Sequence, residues 1–140
     1  MNTYAIKAAI EVPRAKSFTF RRAKTMYGGK QIEEGDAIFV FASENEGGSG
    51  LIARGIVTAS RPVARKAGVE RQTPLVNIEV RRTALAKKRL GRGELKPFAT
   101  WKDGRPETEL NFKFYRQATN KIVGLSDEAA AFLAAFFRTA

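Results

Sequence analysis

Two knots of positive charge carry most of the chemistry that this sequence offers. The first is "FRRAK", with Arg21, Arg22 and Lys24. The second is "EVRRTALAKKRLGRGELK". It holds Arg81, Arg82, Lys87, Lys88, Arg89, Arg92 and Lys96 against two acids, Glu79 and Glu94. Cations at this density can neutralise phosphates along a nucleic-acid backbone. They can also be a solvated basic loop. Flat and edge-reading side chains lie nearby. Trp101, the only Trp, stands in "FATWKDGR" beside Lys102 and Arg105. It can stack on a base, at about 1–3 kcal/mol per base, or plug the loop onto the core. In "NFKFYRQATNKIVGLS", Lys113, Tyr115 and Gln117 share the polar face of an expected strand, and Asn120 and Lys121 follow in a turn. Amides such as Gln117 and Asn120 can pair with base edges. Arg116 falls on the Phe112 and Phe114 face. It is either a rim cation or a buried partner of Glu79, since an unpaired buried charge costs several kcal/mol; the rim is favoured.

What is missing narrows the chemistry further. The chain has no His and no Cys. That excludes zinc sites of the usual kind, disulfides, and Ser-His or Cys-His nucleophile pairs. Catalysis would have to run on carboxylates, Lys, Tyr, Ser or Thr, so a non-catalytic role is expected, with no metal and no cofactor. The net charge of +11 calls for anionic partners, and RNA or DNA leads. A basic interaction protein with an acidic protein partner is the alternative from another class. No run of about 18 apolar residues indicates a membrane span. The first residues do not follow the pattern of a secretory leader, and the expected location is cytoplasmic.

These residues need elements to position them. A length of 140 residues with 44% hydrophobic content suits one domain, residues 1–140. "TYAIKAAI" reads as a first strand stopped by Pro13. "SFTF" alternates ahead of the first basic knot. "AIFVFASE" is apolar enough to be buried on both faces. The Gly-rich "NEGGSG" joins it to "LIARGIVTASRPV" as a hairpin, and Gly55 inside that strand suggests a bulge or close backbone approach. "PLVNIEVRRTAL" turns Val76, Ile78 and Val80 inward. Residues 86–109 break all periodicity and read as an irregular segment with at most one short helical turn. The stretch from Asn111 then supplies the last strand. Ser126 caps a helix with Asp127 and Glu128 in its first turn, and Phe132, Leu133, Phe136 and Phe137 form its apolar stripe. The expected fold is α+β: a small mixed β-barrel of about five or six strands with flanking helices, including a C-terminal amphipathic helix.

"IEEGDAIFVFASENEGGSGLIARGIVTASRPV" resembles the PUA-like superfamily, closest to its EVE branch and related to the ASCH and YTH branches. The resemblance rests on the Gly35-Asp36 turn, the Phe39-Val40-Phe41 strand ending at Ser43, and the Gly50 to Val57 strand. It covers about 60 residues, up to Val63. Two positions depart from the EVE pattern: Tyr4-Ala5 where a Trp is common, and Ala42 where a His is frequent. The resemblance implies a pseudo-barrel that binds RNA, or RNA or DNA carrying an extruded or modified base. It implies that Ser43 helps line the pocket, where the plain reading is a turn-capping hydroxyl. It places Arg21 to Thr25 in a ligand-contacting segment. ASCH relatives include a small amidohydrolase of a modified nucleoside; on that alternative, Lys24, Thr25 and Glu79 would be its catalytic set.

Overall fold

The computed structural model describes residues 2–64, 67–68, 73–99, 103–115 and 120–138; at 114 and 115 it describes the backbone alone. Six strands are formed: β1 (Thr3–Ala8), β2 (Ser17–Met26), β3 (Ala37–Ala42), β4 (Gly50–Pro62), β5 (Leu75–Leu85) and β6 (Lys121–Gly124). They close a barrel in the order β1-β3-β4-β5-β2-β6. The β1–β3 and β2–β6 pairs are parallel and the other four are antiparallel. Three short helices decorate it: α1 (Arg92–Leu95), α2 (Pro106–Leu110) and α3 (Asp127–Ala134). The expected fold class is what forms.

Alternation along the strands divides the apolar residues between two cores. Tyr4, Ile6, Ile38, Val40, Val76, Ile78, Val80 and Ile122 fill the barrel. Ala5, Phe39, Phe41 and Val123 point outward, where Leu95, Leu110, Leu133 and Phe137 cover them. This explains why β3 is apolar on both faces: one face lines the barrel and the other lies under helices. The β3–β4 hairpin forms as expected. Gly55 is a close approach, since a Cβ there would lie 2.4 Å from the Arg81 carbonyl oxygen. Ser126 Oγ accepts from the Ala129 N–H at 3.1 Å, which caps α3.

Two expectations fail. Residues 86–109 contain two helical starts, α1 and the beginning of α2, where at most one turn was expected. The larger correction concerns the stretch from Asn111. Its alternation predicts a strand, but Asn111–Tyr115 continues α2 as a π-helical turn, and among the described residues of this stretch the strand covers Lys121–Gly124. Helical spacing wins because it satisfies more partners. Pro106 sits in the first turn. The Glu109 carboxylate and Lys113 ammonium meet at i, i+4, 3.1 Å apart. Asn111, 1% exposed, donates its side-chain amide to the Leu95 carbonyl at 2.7 Å. A strand from Asn111 would break the last two. Phe112 accordingly leaves the expected barrel face and packs on Tyr27, ring centroids 5.7 Å apart.

Candidate nucleic-acid interface

Strand register assembles a row that the linear sequence hides. Lys24 on β2 lies opposite Lys121 on β6, Lys121 opposite Lys7 on β1, and Lys7 opposite Phe41 on β3. Three lysines therefore stand side by side across three adjacent strands, about 4.8 Å per strand. They alternate with the core residues Ile6, Ala23 and Ile122 and so occupy the outer face of the barrel. Lys7 and Lys121 are pulled below the usual lysine range. For Lys7 the causes are burial, then the charge of Arg92, opposed by Glu44, and then Lys121. For Lys121 they are burial and then Lys24. Lys121 Nζ also lies 2.9 Å from the Met26 thioether, a weak acceptor.

A backbone irregularity extends this row. The β2–β5 register shifts between Phe20 and Ala23, and the bulge turns Arg21 and Arg22 outward. Arg22 takes a left-handed conformation at φ 53°, as does Asn120 at φ 58°. Both are clamped. Asn77 Oδ1 accepts the Arg22 N–H at 2.7 Å. The Asn120 side-chain amide donates to the Arg21 and Arg22 carbonyls at 3.1 and 3.2 Å. Asn120 thus holds the bulge, and its amide is committed to backbone. Strain of about 1–3 kcal/mol per such residue persists only where the surroundings enforce it.

At the far end of the row lies a cleft. Lys7, Phe41, Ser43, Glu44, Asn45 and Arg92 are among the residues that line it, and beneath its open mouth the cavity volume is about 30 Å³. Ser43 is 1% exposed, and its Oγ has no hydrogen-bond partner among the described residues. The Glu44 carboxylate accepts the Arg92 N–H and meets Arg89 at 3.5 Å. Arg92 Nη1 donates to Asn45 Oδ1 at 2.6 Å. The cleft thus presents a hydroxyl, a carboxylate, an amide and two cations against the apolar Phe41 and Leu95.

The fold brings Arg21, Arg22, Lys24, Lys121 and Ser43 to one barrel end, where β1 and β3 finish and β6 begins. Lys87, Lys88 and Arg89 leave β5 at the same end, exposed. Arg82 is tied beside them, its guanidinium donating to the Arg14 carbonyl at 2.8 Å. Arg81 lies lower on the flank, opposite Ser17 and Ile56. Lys113 is elsewhere: it binds Glu109 and the Gly124 carbonyl, where β6 ends. Trp101, Arg116, Gln117 and the Tyr115 side chain lie outside the described residues. Lys24, Thr25 and Glu79 are not brought together. Thr25 Oγ1 is buried and donates to the Pro74 carbonyl at 2.7 Å. Glu79 pairs with Thr19 and Lys24 with Leu75, which separates them by about 13 Å along the strand. Sequence reasoning missed Lys7, Glu44, Asn45 and Arg92 as a group. They come from three separate stretches: parallel pairing of β1 with β3 sets Lys7 beside the Glu44-Asn45 pair, and the Leu51 N–H bond to the Leu90 carbonyl and the Arg92 N–H bond to Glu44 bring in Arg92.

The depressed lysines predict a pH response. Their folded-state pKa lies below the unfolded value near 10.5. Between the two, the unfolded chain binds more protons, so stability rises with pH across that window and the strain is fully present below it. Urea unfolding from about pH 8 to 10.5 should show this rise in the wild type and a shallower one in Lys121→Met.

No protein-family model matches the chain, and no curated protein matches it by sequence. Solved structures do match. Human THYN1 in complex with DNA containing 5-methylcytosine aligns at a TM-score of 0.68 and 13% identity, over 100% of this chain and 99% of that one. The DUF55 domain of human thymocyte nuclear protein 1 aligns at 0.66 and 14%, over 99% of each. A Pseudomonas putida protein aligns at 0.61 and 14%, over 97% and 99%. What is shared at these identities is the fold, which in this chain is a closed six-stranded mixed barrel with short helices.

Proposed function

We propose that this chain is an EVE-like domain that binds nucleic acid and accepts an extruded, modified base of DNA or RNA, without catalysis. The backbone follows the cationic end formed by Arg21, Arg22, Lys24, Lys121 and Lys7, and the base enters the Ser43 cleft. The observation that carries this reading is the Ser43 hydroxyl, buried without a partner in a cleft at the end of a lysine row. A buried polar group left unpaired costs about 1–3 kcal/mol. An arriving base edge would recover that cost, which helps offset the few kcal/mol of unstacking. Human THYN1, which shares the fold, was solved with DNA containing 5-methylcytosine, and this supports a modified base as the ligand.

The test is fluorescence anisotropy with matched DNA and RNA oligonucleotides, with and without 5-methylcytosine, at 50 mM salt. The modified DNA should bind more tightly. Ser43→Ala should weaken that binding about 5- to 100-fold, the worth of one satisfied buried hydroxyl. It should leave unfolding stability unchanged or raised, since it deletes an unpaired group. Undetectable binding to any oligonucleotide, or unaltered affinity in Ser43→Ala, would overturn the reading.

A further inference from the structure

The Ser43 cleft is one of two grooves at this barrel end. The second is about 760 Å³ with its open mouth included. Arg14, Lys87, Lys88 and Arg89 line it over an apolar floor of Leu51, Ile52 and Leu85, and none of the described residues lining it is acidic. Its cations come from two separate stretches. The 9–16 connection supplies Arg14, and the chain leaving β5 supplies the rest. Backbone bonds hold the second stretch in place: the N–H groups of Lys87 and Lys88 both donate to the Phe136 carbonyl, at 2.7 and 3.2 Å. The cations are therefore presented from an anchored backbone, although their side chains are exposed.

A shared partition separates the grooves. Ser49 and Leu51 face the second groove while Gly50 faces the first; Arg89 faces the second while Gly91 and Arg92 face the first. The partition is two backbone segments lying side by side, joined by Leu51 N–H to Leu90 O at 2.9 Å. Glu44 bridges it from the cleft side by binding both Arg89 and the Arg92 N–H. Two hydrogen-bonded segments lie about 4.8 Å apart, so with their side chains the partition is of the order of the roughly 6–12 Å grooves of B-DNA.

We infer that the second groove holds the complementary strand, so that the protein grips a duplex across this partition. Resting on the function proposed above, the inference goes further by naming the form of nucleic acid. One strand delivers its base to the Ser43 cleft. The phosphates of the other lie along Arg14, Lys87, Lys88 and Arg89. The groove fits a phosphate backbone because Arg14, Lys87 and Lys88 stand around an apolar floor; Arg89 is ion-paired with Glu44 and Glu94 at its edge. It offers no paired donors and acceptors of the kind that read bases.

The experiment compares one 5-methylcytosine oligonucleotide as single strand and as duplex, against the wild type and Lys87→Ala/Lys88→Ala. The wild type should prefer the duplex. The double variant should lose about tenfold of its duplex affinity and lower the salt slope by about 2, while its single-strand affinity changes less than about twofold. Equal losses on both forms, or no loss on either, would overturn the inference. So would anionic vesicles or polyglutamate competing with the duplex through Lys87 and Lys88 at matched charge. Failure of the underlying reading looks different: 5-methylcytosine would confer no advantage on either form, whatever the groove does.

Discussion

Replacing Lys7, Lys24 and Lys121 together by alanine should remove most nucleic-acid binding at moderate salt and flatten its salt dependence. The three stand in adjacent register on β1, β2 and β6, so they meet one short run of backbone. Each phosphate neutralised contributes about 0.9 to the slope of log affinity against log salt. With about six contacts, raising salt from 50 to 200 mM should weaken wild-type binding roughly 10³-fold. Without the row the slope should fall by about 2.7, leaving roughly a 40-fold loss over the same range. Because burial first, and then neighbouring cations, disfavour the charged forms of Lys7 and Lys121 in the folded protein, the triple variant should not be less stable at neutral pH. A slope unchanged by the triple substitution would place the phosphates elsewhere.

Gly50→Ala should be among the most damaging single substitutions to the fold, at about 3–5 kcal/mol. Two costs combine. Gly50 sits at φ 88°, a region that costs other residues about 1–3 kcal/mol. An added Cβ would also lie 2.3 Å from the Leu90 carbonyl oxygen and 2.8 Å from Gly91 Cα. Those are backbone atoms, which cannot swing aside, and overpacking costs about 1–3 kcal/mol more. Gly93→Ala is the control. It lies inside α1 with nothing within 4 Å of the added methyl, so it should be neutral or stabilising by up to about 1 kcal/mol. Urea unfolding of both variants measures this. A loss below about 1 kcal/mol in Gly50→Ala would mean that the β4 start and the Leu90 segment do not touch as described.

Residues whose role is local were legible in the sequence. The apolar run of β3, the alternation of Val76, Ile78 and Val80, and the Ser126 cap each declare themselves within a few residues. Arg21, Arg22 and Lys24 were legible as a charge cluster. The site itself was not, because its members are joined by register. Lys7 and Lys121 are 114 positions apart in sequence yet pair directly. Asn120 read as a base-reading amide but proves to be a clamp on the Arg21–Arg22 bulge, since only the left-handed backbone reveals where its side chain goes. The stretch from Asn111 misled because a period of two was set against one i, i+4 ion pair. The buried contact of Asn111 with Leu95, sixteen positions away, decided the contest from outside the window.

The barrel order carries a kinetic consequence. β6 is the last strand in the chain, and it seals the seam between β1 and β2 by pairing with both. That closure has high contact order, so it comes at a large loop-entropy cost and late in folding. Lys121 arrives with β6, and the lysine row does not exist until the seam shuts. Any polyanion that engages the row therefore binds the sealed barrel alone and stabilises it by mass action. A polyanion bound there would in this sense also be the latch of the fold. Unfolding should slow as oligonucleotide is added, with opening of the β6 seam as the step that is held back.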